Sequence, residues 1–199
     1  MTTLHLGFLA SHGGSNMHSI IDACKNSSLD AVPCCVISNN SDSFALERAK
    51  NEGIPAYHIS ERKYPLPGEV DREIITKFDF HGVDTVILAG YMKMLGNNVI
   101  QHFKGRILNI HPALLPKYGG KGMYGIRVHE AVLASGEKIS GATVHLVNDE
   151  YDRGKIILQK EVPVIEGDTP ETLAKRVLEI EHFIYPEALR LIASGKIII

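Results

Sequence analysis

The chain has 199 residues, 44% of them hydrophobic, enough to bury a full core in one domain over residues 1–199. Its 21 basic and 23 acidic side chains leave a formal net charge of -2. That balance offers no electrostatic case for a nucleic acid or a membrane surface and points to small-molecule substrates. No apolar run approaches the ~20 residues needed to span a bilayer. Met1 to Ala10 is too short, and lacks the basic start, for a signal peptide, so a cytoplasmic protein is expected. Cys24, Cys34 and Cys35 have no C-x-x-C spacing and are expected to be buried small apolar residues rather than disulfides or zinc ligands. No metal site is expected.

Thr3 to Ala10 (TLHLGFLA) is an apolar run of strand length, followed by Ser11-His12-Gly13-Gly14-Ser15-Asn16 and a helical pattern over Met17 to Lys25. Ser15 or Asn16 is expected to cap that helix. Glycine-rich backbone at a helix start can bind an anion such as phosphate, or it can simply be a tight connection. It is neither G-x-G-x-x-G nor a Walker loop, so no dinucleotide or nucleoside triphosphate is called for. Ala31 to Ser38 is the second strand, then a helix over Phe44 to Asn51 closed by Gly53, and a short third strand over Ile54 to Ile59. Ser60 to Gly68 is a loop, and a helix runs from Glu69 to Phe80. This alternation predicts an α/β fold with a mostly parallel central sheet and helices on both faces.

Asp84 to Leu88 (DTVIL) is almost continuously apolar and should be central. It leads into Gly90-Tyr91-Met92-Lys93-Met94-Leu95, where Met92, Met94 and Leu95 either line a flat apolar pocket or pack in the core. A helix around Asn97 to Phe103 precedes the most informative stretch, Gly105 to Gly120 (GRILNIHPALLPKYGG). Side chains at i and i+2 of a strand share a face, so Asn109 and His111 should point together, and Pro112 should end the strand there. An amide can stabilise an oxyanion and an imidazole can move a proton near neutral pH, although a histidine at a strand end is more often simply solvated. Lys121 to Gly125 is a glycine-rich loop, and Val128 to Ala134 has helical spacing.

Ser140 to Val147 and Lys155 to Val164 form a hairpin expected to add antiparallel strands at one sheet edge. In its loop Asp152 is either solvated or a partner that raises the pKa of His111; His145 is also noted. Asp168-Thr169-Pro170-Glu171 starts a long helix with Thr169 as cap, and Pro186 is expected to kink it. Glu181 and His182 fit an exposed face of that helix.

LNIHPALLPKY, the GGSN turn, AGYMKML, TVHLVNDEYDRGKIILQ and EGDTPETLAKRV together resemble the phosphoribosylglycinamide formyltransferase family, the folate-dependent glycinamide ribonucleotide transformylases of purine synthesis. The resemblance covers nearly the whole chain. It implies a Rossmann-like formyltransferase fold and transfer of formyl from the co-substrate 10-formyltetrahydrofolate to the glycine amine of the ribonucleotide, by a monomer or homodimer. It assigns Asn109, His111 and Asp152 to catalysis; Gly14, Ser15 and Asn16 to the phosphate; and Glu181 to the ribose hydroxyls. Met92, Lys93, Met94, Leu95 and Asn109 go to the folate. Pro67 stands where some members place a folate-contacting arginine, leaving Lys93 or Arg62 as replacement cations. The alternatives are a formyltetrahydrofolate hydrolase and a non-catalytic nucleotide-binding module.

Overall fold

Leu4, Leu6, Phe8 and Ala10 of the first strand point into one apolar layer and Leu9 points into another, so the sheet they belong to is covered on both faces. The computed structural model describes residues 2–199. In chain order the elements are β1 (Leu4–Ala10), α1 (Ser15–Lys25), β2 (Ala31–Ser38), α2 (Phe44–Asn51), β3 (Ala56–His58), α3 (Glu69–Phe80), β4 (Thr85–Leu88), α4 (Asn97–His102), β5 (Ile107–His111), α5 (Ile126–Ala134), β6 (Ile139–Leu146), β7 (Ile156–Pro163) and α6 (Pro170–Ala193). The seven strands form one sheet in the order β3-β2-β1-β4-β5-β6-β7. The first five are parallel, and β6 and β7 are added antiparallel at one edge, as the hairpin pattern predicts.

Helices α1, α2, α5 and α6 cover one face, and α3 and α4 the other. Phe8, Leu9, Phe78 and Phe103 are buried to 1% exposure or less, each worth about 1.5–3 kcal/mol relative to exposure. No helix among the described residues is long and apolar enough to cross a membrane.

Two local expectations need correction. The residue before α1 is Gly14, in the left-handed region at φ 65, with no side-chain cap; Ser15 and Asn16 are already helical. A Cβ at position 14 would come within 2.9 Å of Ala45 Cβ on α2, so both the turn and the packing require glycine. α6 is a 24-residue helix capped at Thr169 as expected, with Pro186 inside it. Of the three free cysteines only Cys35 is fully buried, Cys24 and Cys34 being half-buried. Burial pushes the Cys35 thiol up to about 12 and that of Cys24 up to about 11, so neither is a thiolate nucleophile at neutral pH.

The hairpin loop that carries Asp152 is closed by Leu146 N–H donating to the Lys155 carbonyl at 2.9 Å. Here Gly154 lies against β6 so closely that a Cβ would fall 1.7 Å from the Leu146 carbonyl oxygen. Gly154→Ala is therefore expected to push the loop off the strand and destabilise the fold by about 2–4 kcal/mol. A urea midpoint unchanged from the parent would show that the backbone yields without cost.

Candidate active site

In an open α/β sheet, ligands collect beyond the carboxyl ends of the strands where the strand order reverses. Here that point lies between β1 and β4, and a cavity of about 550 Å³ opens there. Its walls come from Asn16 after β1, Gly90 to Leu95 after β4, Asn109 to Pro112 at the end of β5, and residues 120–125. The hairpin loop after β6 and Glu181 on α6 complete them. Tyr185, fully buried one turn beyond Glu181, ties the floor together. Its hydroxyl donates between the carbonyls of Leu88 and Leu108, at 3.1 and 2.9 Å, near the ends of β4 and β5.

Asn109 and His111 line the same cavity, as their i, i+2 spacing predicts. The antiparallel register sets Asn109 opposite His145 and His111 opposite Thr143. His145 Nδ1–H donates to the Leu146 carbonyl at 2.9 Å, which leaves Nε2 to accept one Asn109 amide hydrogen at 3.1 Å. The second Asn109 amide hydrogen is free to donate into the cavity. His111 is 4% exposed. Its Nε2–H donates to the Tyr118 carbonyl at 2.7 Å, and its Nδ1 faces Asp152 Oδ2 at 3.6 Å.

Asp152 therefore turns inward rather than into solvent. It has a left-handed backbone (φ 54), accepts the Gly120 N–H at 2.9 Å and places Oδ1 3.5 Å from His145 Nε2. Burial opposes its ionisation, but His145, His111 and the Gly120 N–H outweigh burial and hold its carboxyl below the usual range. The expected rise in the His111 pKa is overturned: burial lowers it, and neither Asp152 nor the Tyr118 carbonyl fully offsets that. The resting imidazole is neutral, with Nδ1 as its open nitrogen.

The reading of Glu181 as part of an exposed face also fails. It is 8% exposed and accepts from Asn16 Nδ2 at 2.6 Å, while Asn16 Oδ1 is buried without a partner. Burial raises its carboxyl to about 7, against the pull of Asn16. The signal was present in the spacing, since Glu181 lies four residues after Val177 and four before Tyr185, both buried, and so falls on the apolar stripe.

The segment after β4 divides. Met92 and Met94 are 50% and 66% exposed at the cavity, whereas Leu95 is buried in the core beneath. Lys93 also lines the cavity but pairs with Glu61 at 3.0 Å, and Arg62 is not in its wall. Gly14 and Ser15 stand at the start of α1 outside the cavity wall, and only Asn16 of that turn reaches it. Arg127, from the first turn of α5, is a cation in the wall that no sequence pattern indicated. Ser11 was also passed over: its hydroxyl donates to Asn39 Oδ1 at 2.6 Å and accepts from Met92 N–H at 2.7 Å, joining the loops after β1, β2 and β4.

Residues 5–189 match the family model described as formyl transferase. The chain is 45% identical over 193 residues to a chloroplastic phosphoribosylglycinamide formyltransferase of Arabidopsis thaliana, covering 96% of this chain and 66% of that protein. It is 39% identical to the phosphoribosylglycinamide formyltransferase of Escherichia coli, covering 98% and 89%. The crystal structure of glycinamide ribonucleotide transformylase 1 from Symbiobacterium toebii superposes with a TM-score of 0.92 at 41% identity, covering 99% of this chain and 91% of that one. With the family model spanning most of the chain and a solved relative superposing over nearly all of it, the protein belongs to the formyl transferase family.

Proposed function

We propose that the protein transfers the formyl group of 10-formyltetrahydrofolate to the amine of 5'-phosphoribosylglycinamide, giving formylglycinamide ribonucleotide and tetrahydrofolate. The observation that carries this reading is the meeting of an amide, a neutral imidazole and an ionised carboxylate, Asn109, His111 and Asp152, in one cavity. The amine nitrogen attacks the formyl carbon, and the C–N bond forms as the carbonyl electron pair moves onto oxygen. The free Asn109 amide hydrogen stabilises that oxyanion. The nitrogen then sheds a proton to His111 Nδ1, the nitrogen of that ring not committed to a carbonyl, since His145 Nε2 already accepts from Asn109, and Asp152 balances the imidazolium. Collapse of the intermediate breaks the bond to the folate nitrogen, which takes up the proton. These steps need neither a metal ion nor a covalent enzyme intermediate.

The exposed Met92 and Met94 suit the flat folate ring, with Lys93, Leu95 and Asn109 beside it. Gly14, Ser15 and Asn16 offer a helix start for the ribonucleotide phosphate, and Glu181 offers acceptors for ribose hydroxyls. The near-zero net charge and the open cavity suit small-molecule substrates, and a cytoplasmic monomer or homodimer acting as one domain is the reading taken with them. Spectroscopic measurement of folate release with and without the ribonucleotide tests the reading: release that requires the ribonucleotide is expected, and equal release without it would make the protein a hydrolase.

Glu181 gives a prediction about pH. Its folded carboxyl, at about 7, lies above the ordinary 4.5, so the unfolded chain gives up this proton more readily. The contribution of Glu181 to stability is fully present below about pH 4.5 and is lost as pH rises through 7. Glu181→Gln is expected to gain about 3 kcal/mol relative to the parent between pH 5 and pH 8, while weakening ribonucleotide binding. Urea unfolding at both pH values checks the sign; a gap that does not change with pH would mean that the buried carboxyl does not titrate there.

A further inference from the structure

Tyr118 lies between the candidate active site and a second cavity, and its two ends meet different groups. Its carbonyl accepts the His111 Nε2–H at 2.7 Å. Its backbone is left-handed, φ 56, a conformation that a tyrosine keeps only where its surroundings hold it. The phenol supplies that hold. Its hydroxyl meets the Ser135 hydroxyl and donates to Glu137 Oε1 at 3.2 Å. Glu137 is in turn bound by Lys117 Nζ at 2.8 Å, and the Ser135 hydroxyl, which can donate to the phenol oxygen, also lies 2.8 Å from the Val132 carbonyl of α5. Lys117, Tyr118 and Glu137 line a cavity of about 320 Å³, distinct from the one holding His111.

The segment before Tyr118 is latched separately. Thr143 Oγ1 donates to the Ala113 carbonyl at 2.6 Å and accepts the Leu115 N–H at 3.1 Å, and Gln159 Nε2 donates to the Leu115 carbonyl at 3.0 Å. Beyond that latch, the stretch that presents the Tyr118 carbonyl is tied by Lys117 to Glu137, by the phenol to Ser135 and Glu137, and by Asp152 to the Gly120 N–H, and of these the phenol is the tie made by Tyr118 itself.

The geometry points to Tyr118 as a positioning residue. Its phenol, held by Ser135 and Glu137, aims the carbonyl that keeps His111 in its Nε2–H tautomer with Nδ1 open toward Asp152, an inference that rests on the formyl-transfer reading above. The groups bearing on His111 are Asp152 from the hairpin loop, His145 from β6, His129 from α5 and this carbonyl. Of these the two histidines disfavour a proton on His111, while Asp152 and the carbonyl favour one. Loss of the carbonyl removes one of the two groups that support the imidazolium, and it frees the ring to exchange tautomers.

The test is Tyr118→Phe in the full chain, which keeps the ring and deletes only the anchoring hydroxyl. Turnover is expected to fall about tenfold while both KM values stay within about twofold. Nitrogen NMR of the His111 ring is expected to show one tautomer, protonated at Nε2, in the parent and a mixture in the variant. Ser135→Ala and Glu137→Gln are expected to shift the same signals in the same direction. A variant that loses thermal stability but keeps the parent's His111 signals and turnover overturns the proposal, because the phenol is then only packing. Should the parent fail to transfer formyl at all, the functional reading falls, and the His111 tautomer still reports on Tyr118 independently.

Discussion

His111→Ala is expected to lower turnover by on the order of a hundredfold or more, with both KM values changed only a few-fold. The size follows from what else the cavity offers. Asp152 is held ionised and already accepts the Gly120 N–H, and Glu181 is bound to Asn16, which leaves His111 Nδ1 as the neutral nitrogen able to take the amine's proton beside the reacting carbon. Asn109 would still stabilise the oxyanion in the variant, so a residual rate above the uncatalysed one is expected. Because burial keeps the His111 pKa below its ordinary value, kcat/KM of the parent is expected to fall only as pH drops below about 6.5. Steady-state rates on the folded variant decide the matter, and a near-normal turnover would remove the imidazole from the mechanism.

Asp152→Asn is expected to have the next largest effect, a loss in kcat/KM on the order of a hundredfold. Two unit charges at about 4 Å interact by about 4 kcal/mol at an effective dielectric near 20, before desolvation is set against it. The Asp152 to His111 separation of 3.6 Å therefore leaves room for the 2.7 kcal/mol or so that a hundredfold represents. Asparagine preserves the shape and can still accept the Gly120 N–H, so the loss would be one of charge. With the carboxylate gone, burial of His111 is opposed only by the Tyr118 carbonyl, and the imidazolium becomes harder to form. The acid limb of the kcat/KM profile should move to lower pH while its plateau falls. A lowered plateau with an unmoved limb would show that Asp152 acts other than through His111.

The sequence was most legible where one short-range rule governs the outcome. α3 occupies Glu69–Phe80 as its apolar spacing and flanking turn residues imply, and Thr169 with Pro170 caps α6 because capping needs only neighbouring atoms. The pairing of Asn109 with His111 at the end of β5 came from the two-residue period of a strand and the proline after it. Asp152 was much less legible. An acid in a hairpin loop is ordinarily solvated, and the residues themselves could not exclude that; only likeness to a known family assigned it a role. Glu181 shows the opposite failure: its position on the buried stripe of α6 was readable, but the usual rule that carboxylates face solvent pointed the other way.

What the chain determined by itself was local: which segments are strands and helices, how they alternate into a parallel sheet, and which polar residues stand at a strand end. Tertiary structure decided the rest, because burial and charge pairing depend on elements far apart in sequence. The β5 to β6 register and the Gly120 N–H bring Asp152 to His111 across 41 positions, and the packing of α6 on α1 brings Glu181 to Asn16 across 165. The direction of the His111 pKa belongs to the same class. A carboxylate partner alone would raise it, and the desolvation that outweighs that partner exists only once the sheet and its helices have closed around the ring.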